Sequence, residues 1–450
     1  MKRLKLSTTH VIMLSFILVI LVGTLLLMLP ISSADGKATP FIDALFTATT
    51  STCVTGLVVV PTVSAWSTFG HIVILLLIQI GGLGLITVIS GIALFAHKKI
   101  GLSDRILLQD AFNLSDLSGL FTFVKKVIIG TFAVELAGAL LYMPVFVSDF
   151  GAKGIWISVF TSVSAFCNAG IDILAEDSLC GYNTNLLVNA VTSTLIILGG
   201  LGYIVWWDVI RIAKNIKARG LKAIHSLTLH SKIVLSTTFF LIFGGGLLIF
   251  IFEYNNPDTI GSYTLGEKLM VSLFQSVTTR TAGFASVPQE SLTNPSAIIS
   301  VLLMFIGGSP VGTAGGIKTV TVAVLLSTVV SAVTNKDKPS MFGRDISREI
   351  CFKATAVSFM SFSILFISTL LLSVTSGADL LDVVYETASA TATVGLSRNL
   401  TPSLNSISKL IVALTMYFGR IGPISLAVAF SFKNKNTNLI KNPTEDIRVG

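Results

Sequence analysis

Long apolar segments alternate with loops along this chain, at 11–29, 72–96, 127–147, 186–207, 233–252, 297–334, 354–374 and 410–432. Seven of the eight are near the length of about 20 residues that crosses a bilayer core, and the sixth is close to twice that. Inside each successive pair lies a shorter apolar piece with helical character, at 41–50, 155–164, 265–277 and 380–389. Ten or so residues rise only about 15 Å, so such a piece dips into a membrane and does not cross it. Each short piece runs into a glycine-terminated stretch: Thr52-Cys53-Val54-Thr55-Gly56, Phe166-Cys167-Asn168-Ala169-Gly170, Thr279-Arg280-Thr281-Ala282-Gly283 and Thr391-Ala392-Thr393-Val394-Gly395. The four glycines recur at intervals of 114, 113 and 112 residues, and a near-constant period marks internal duplication. The pattern predicts an all-α polytopic membrane protein of four span–pore loop–span repeats, with eight transmembrane helices, covering residues 1–98, 99–215, 216–335 and 336–450. Each unit has two spans, so all four are parallel and can close around a central pore, unlike inverted repeats.

Composition agrees with this pattern. Apolar residues make up 52% of the chain and charged residues 12%, with a mean hydropathy of +0.83, too little polar surface to cover a soluble globule. The net charge of +8 comes without a basic stripe or RNA-binding motif, which argues against nucleic acid. Its distribution has another use. With the N-terminus inside, 23 of the 31 basic residues fall on the tails and loops of one side, which puts both termini in the cytoplasm and every pore loop on the outer face. The first apolar segment is too long for a secretory signal and is expected to be retained, anchoring the protein in the plasma membrane. Cys53, Cys167, Cys180 and Cys351 have no metal or disulfide spacing.

Non-helical backbone at membrane depth is tolerated only where it lines a cavity or is packed in protein. The carbonyls of the four glycine-terminated stretches can therefore stack as oxygen rings that replace the hydration shell of a cation, and the glycines supply dihedrals closed to other residues. Asp43 and Asp382, each thirteen positions before its glycine, are expected to cap the short helices. A second marker follows in each repeat: GGLG at 81–84, GGLGY at 199–203, GGSPVGTAGGIK at 307–318 and GRIGP at 419–423. In the first two, small residues suggest close helix packing. In the third, Gly307, Gly308, Pro310, Gly312, Gly315 and Gly316 break the middle of the double-length segment. Arg420 lies mid-span, where an unpaired cation costs at least about 2.5–3.5 kcal/mol, so it is expected to face the pore. Glu135 is the other mid-span charge; it is either a protonated structural group or part of an ionisable relay. Lys318 is expected to pair or to face the inner mouth, and Arg280 either braces its loop or faces the outer vestibule.

These segments together resemble the Trk/Ktr/HKT superfamily of potassium transporters, most closely KtrB-type membrane subunits, over almost the whole chain. The resemblance implies a potassium filter at the four glycine segments, with no glycine replaced by serine, the change that accompanies sodium selectivity in plant relatives. It implies a gate at Gly307, Gly308, Ser309, Pro310, Gly312, Thr313, Gly315, Gly316 and Lys318, with Arg420 beneath the filter against that loop. A homodimer and a cytosolic nucleotide-binding ring are the implied partners. K+ is the implied cargo, with Na+ as a further ion because some members depend on it. No nucleotide-binding or kinase motif is present in the chain, so no enzymatic activity is expected. Proton- or sodium-coupled symport is the alternative, with Glu135 as its candidate relay, and a membrane scaffold is a third reading.

Overall fold

A computed structural model describes residues 8–84, 87–88, 90 and 120–422. Among these, the helices that carry the architecture are α1 (Thr8–Leu27), α2 (Phe41–Cys53), α3 (Thr68–Leu83), α4 (Leu120–Phe150), α5 (Lys153–Cys167), α6 (Leu186–Leu201) and α7 (Tyr203–Arg219). They continue with α8 (Leu229–Glu253), α9 (Leu265–Thr278), α10 (Asn294–Phe305), α11 (Thr319–Val333), α12 (Arg348–Ser376), α13 (Leu380–Ala392) and α14 (Ser406–Ile421). A two-residue antiparallel hairpin, Ser340–Met341 with Arg344–Asp345, joins α11 to α12.

Burial is inverted relative to a water-soluble protein. The apolar windows of α1, α4, α8 and α12 are long enough to cross a membrane, yet only 17–39% of each is buried. Their outward faces carry exposed Leu18, Leu25, Leu136, Phe239, Phe240, Phe359 and Phe366, apolar surface suited to lipid rather than water. The short helices α2, α5, α9 and α13 are buried and rich in hydroxyls. Several of their Ser and Thr side chains donate back to the carbonyl four residues earlier, as in Ser51 to Thr47 (2.7 Å) and Thr387 to Val383 (2.8 Å), which lowers the cost of placing a polar helix at depth.

The second apolar segment of each pair differs from a plain span. The segment at 186–207, expected as one helix, is α6 and the first turn of α7, bent by 102° at Gly202. With α6–α7 counted as one broken span, the described residues hold up to five spans by length and composition. The segment at 297–334 is two helices, α10 and α11, separated by the loop 306–318 that the glycines and Pro310 predicted. A parallel bridge between Ile306 and Ile317 pinches the base of that loop. The far halves of the segments at 72–96 and 410–432, the basic residues Lys98, Lys99 and Arg105 and those of the C-terminal tail lie outside the described residues.

One contact shows how the chain comes round on itself. α14 packs against α2, where Lys409 bonds Asp43 at 2.7 Å, and the Tyr417 hydroxyl donates to the Met13 carbonyl on α1 (3.0 Å).

Candidate functional site

The four short helices end where the glycine segments begin, and each ending uses the same backbone device. Two residues before each glycine stands a left-handed residue: Val54 (φ 56°), Asn168 (φ 60°), Thr281 (φ 68°) and Thr393 (φ 54°). The glycines are left-handed as well, Gly56 at φ 100°, Gly170 at 63°, Gly283 at 85° and Gly395 at 104°. Three of the four non-glycine positions are β-branched, for which this region is a true outlier. Such strain, of order 1–3 kcal/mol each, persists only where the surroundings enforce it, and it concentrates at ligand clamps.

The sequence pattern predicts all four residues before each glycine to be non-helical. In the structure α2, α5 and α13 continue through Cys53, Cys167 and Ala392, so Thr52, Cys53, Phe166, Cys167, Thr391 and Ala392 belong to the last helical turn. α9 stops earlier, at Thr278, leaving Thr279 and Arg280 beyond it. The left-handed residue sets the end point, because it caps the helix with its own N–H (Val54 to Ser51, 3.2 Å; Thr393 to Ala390, 3.2 Å). Last-turn carbonyls have no intrahelical partner, so these residues still present oxygens, and the negative ends of four helix dipoles converge there.

The four glycines close into a ring. A Cβ on Gly56 would collide with the Ala169 carbonyl, one on Gly170 with Ala282, one on Gly283 with Val394, and one on Gly395 with Thr55. Each glycine therefore abuts the carbonyl that precedes the next glycine, and the fourth returns to the first. Hydroxyls six residues upstream tether two members: Thr50 accepts from the Gly56 N–H (3.0 Å) and Ser389 from that of Gly395 (2.9 Å). The hydroxyls of Thr52, Thr55, Thr281, Thr391 and Thr393 are buried without a protein partner.

The second markers lie directly beneath. Gly81, Gly199 and Gly419 press against the carbonyls of Thr52, Phe166 and Thr391, each four residues before a ring glycine, leaving no room for a side chain. Three residues further on, Gly84, Gly202 and Gly422 end their helices with nearly identical dihedrals, φ 81–86° and ψ 132–143°. The packing expected of GGLG is thus packing against the ring's supporting backbone, coupled to a helix break that spacing alone did not suggest.

The loop 306–318 takes the corresponding place in the third position, where Gly307 faces Gly315 of the same loop. It is bonded mainly to the α6–α7 bend: Ser309 N–H to Gly200 O (2.9 Å), Thr313 N–H to Gly199 O (3.1 Å) and Tyr203 N–H to Val311 O (3.0 Å). The Thr313 hydroxyl donates to the Phe166 carbonyl (3.1 Å), and Ser309 pairs with Thr319 (3.0 Å). Gly308 and Gly312 approach the backbone of α6, Gly315 that of Ala392, and Pro310 that of Gly202. Val311 is itself left-handed, φ 60°.

Three cations surround this loop, Arg280 buried and Lys318 and Arg420 half-buried. Arg420 donates to Thr313 O (2.6 Å) and, through its other terminal nitrogen, to Gly81 O. Lys318 turns back onto Ala314 O (2.6 Å) and lines a cavity of about 380 Å³ together with Gly81, Thr391, Gly315 and Arg420. Arg280 points away from the ring's open face and reaches Gly307 O at 3.4 Å, its Nε without a partner, so it does not line the vestibule. On the opposite face, the four glycines floor a second cavity of about 330 Å³.

Other sequence expectations meet different surroundings. Asp43 and Asp382 do not cap amides; the residues ahead of α2 and α13 are Pro40 and Asp379. Both carboxylates form ion pairs at 2.7 Å, with Lys409 and Arg398, cations distant in sequence that no local pattern reveals. Glu135 is buried, accepting from Gln79 (3.1 Å) and facing the Cys167 thiol (3.8 Å), with its second oxygen unpartnered.

Lipid-length helices around a backbone-lined ring, with a cavity on either face, define a multi-pass membrane protein. The family described as TrkH, cation transport protein, matches residues 3–441. The chain is 39% identical to the potassium/sodium uptake protein NtpJ of Enterococcus hirae, covering 100% of this chain and 98% of that protein. It is likewise 39% identical to the Ktr system potassium uptake protein B of Bacillus subtilis, with the same coverage. The crystal structure of the potassium transporter TrkH from Vibrio parahaemolyticus superposes with a TM-score of 0.75 at 16% identity, over 96% of this chain and 86% of that one, and so shares the fold. The chain belongs to the Trk/Ktr family and is similar to its KtrB-type members. It is a membrane cation transporter and not an enzyme.

Proposed function

We propose that this protein takes up potassium across a bacterial plasma membrane through a filter formed by the four glycine segments. In this reading four parallel span–pore loop–span repeats, with eight transmembrane helices, surround the filter, and both termini are cytoplasmic. The observation that carries it is the closed ring of Gly56, Gly170, Gly283 and Gly395, each against its neighbour's carbonyl. Backbone oxygens held there by paired left-handed residues suit a dehydrated monovalent cation. The names of the full-length relatives support potassium as the main ion and sodium as a second one. The driving force is the membrane potential, worth about 2.3 kcal/mol per charge per 100 mV.

The loop 306–318 acts as the gate. Its bonds to α6 and to Arg420 belong to the closed state, in which the guanidinium also raises the barrier to a cation. A cytosolic nucleotide-binding subunit, docked on the basic inner loops of a homodimer, releases it; the Ktr system named in the relatives supports such a partner.

Purified protein in liposomes tests the main reading. Potassium flux that follows the imposed voltage and exceeds sodium flux supports it, and absence of potassium flux sinks it. Gly56→Ser places a side chain against Ala169 O at φ 100° and is expected to lower the potassium-to-sodium flux ratio at least about tenfold. Ion-coupled symport is retained as a second reading because Glu135 holds an unpartnered oxygen deep in the protein. Flux that requires a proton or sodium gradient at zero voltage would favour it.

A further inference from the structure

The cavity floored by the four glycines is the way into the ring from the side on which the short helices begin. Among the described residues its lining holds Asp172, Glu176, Asp177 and Glu290 and no Lys or Arg, in a chain whose net charge is +8. Glu176, Asp177 and Glu290 are solvent-exposed, whereas Asp172 is only 8% exposed. It stands two residues after Gly170, where the other segments have Val58, Ala285 and Ser397. The side chain is held rigidly: one oxygen accepts from Ser178 Oγ (2.6 Å) and the other from the Leu174 N–H (3.2 Å). No Lys, Arg or His nitrogen of the described residues forms an ion pair with it.

A buried carboxylate with hydrogen bonds but no counter-ion is costly unless a cation visits it. A low-dielectric cleft lined by one sign of charge also focuses its field on the entrance. We infer that Asp172 is the charged group that loads the ring from this vestibule and so sets the apparent affinity for the transported monovalent cation. The inference rests on the transport reading above and adds the residue that governs KM. The other ring segments have no acidic residue two positions after the glycine, so among the described residues lining this vestibule Asp172 is the buried carboxylate, while Glu176, Asp177 and Glu290 are exposed.

Burial, opposed by the bonds from Ser178, Leu174 and Ala175 and reinforced by the charge of Asp177, raises the Asp172 carboxyl to about 6. The groups that face it are those of its own loop, with Cys180 beside it and Glu290 across the vestibule. Above that pH the carboxyl is charged, and below it the charge is lost, so apparent affinity falls as the vestibule is acidified.

The test is potassium uptake by the full chain in liposomes, with internal pH fixed and the pH on the vestibule side varied from 7.5 to 5.0. Wild type should show KM rising about threefold or more through pH 6, with kcat changed less than about twofold. Asp172→Asn keeps an acceptor for the Leu174 N–H and turns its amide N–H to the Ser178 hydroxyl, which then accepts, and should show the acid KM at every pH; Asp172→Glu should restore much of the slope. A wild-type KM that stays flat overturns the proposal even where the variant fails to fold. So does a variant that keeps the wild-type KM or the wild-type slope. Wild type that carries no potassium at any pH refutes the transport reading itself, and the two failures are thereby distinct.

Discussion

Arg420 divides its guanidinium between two backbone carbonyls from different parts of the chain, Thr313 in the loop and Gly81 at the end of α3. Hydrogen bonds from a charged donor contribute about 1.5–3 kcal/mol each, so loss of the one to Thr313 shifts the loop's equilibrium by about tenfold or more. Arg420→Ala is expected to raise basal potassium flux in liposomes by that factor; unchanged flux would show that the loop is held by α6 alone. That Arg420 had to be satisfied was legible, since a cation ten residues from either end of an apolar segment is costly unless it finds a partner. Its partners were not legible, because they are carbonyls, which every residue carries. Asp43 and Asp382 show the converse. Their place in a first turn suggests capping, but Lys409 and Arg398 compete for them, and only the folded chain brings those cations near.

At the scale of the element, the bend at Gly202 joins ring and loop. Its φ of 85° suits glycine, and a Cβ there would strike the Pro310 carbonyl. Gly202→Ala therefore combines backbone strain of about 1–2 kcal/mol with displacement of the loop. We expect a leak of potassium without added regulator and little change in selectivity, measured as flux ratios in the same liposomes; a loss of selectivity with no leak would contradict this. The double-length segment and its glycines revealed a break in the third position, because no continuous helix tolerates that composition. The breaks after α3, α6 and α14 were hidden: a single glycine three residues past another reads as helix packing until its dihedral is seen. The reach of α2, α5 and α13 through Cys53, Cys167 and Ala392 was hidden too, since a helix stopped by a left-handed Val or Thr contradicts intrinsic preference.

For the whole molecule, the period of the four glycines was the most informative feature of the sequence, because a recurring glycine has little other reason to be spaced so evenly. The tightness of the ring was not readable from it. The seam between the two ends of the chain is held by the Lys409–Asp43 pair, both members mostly buried. Lys409→Met leaves Asp43 buried without its cation, a loss of about 3 kcal/mol or more where burial is complete and less here. We expect a lower thermal midpoint in detergent with ion selectivity retained; an unchanged midpoint would mean that α14 and α2 hold together by packing alone. That seam has a genetic corollary. Because the last described helix lies beside α2, with Tyr417 bonded to Met13 of α1, the linear order of the segments is a property of the gene more than of the fold. A circularly permuted chain, opened at the exposed hairpin tip of Phe342 and Gly343 and joined across its old ends, would enclose the same ring.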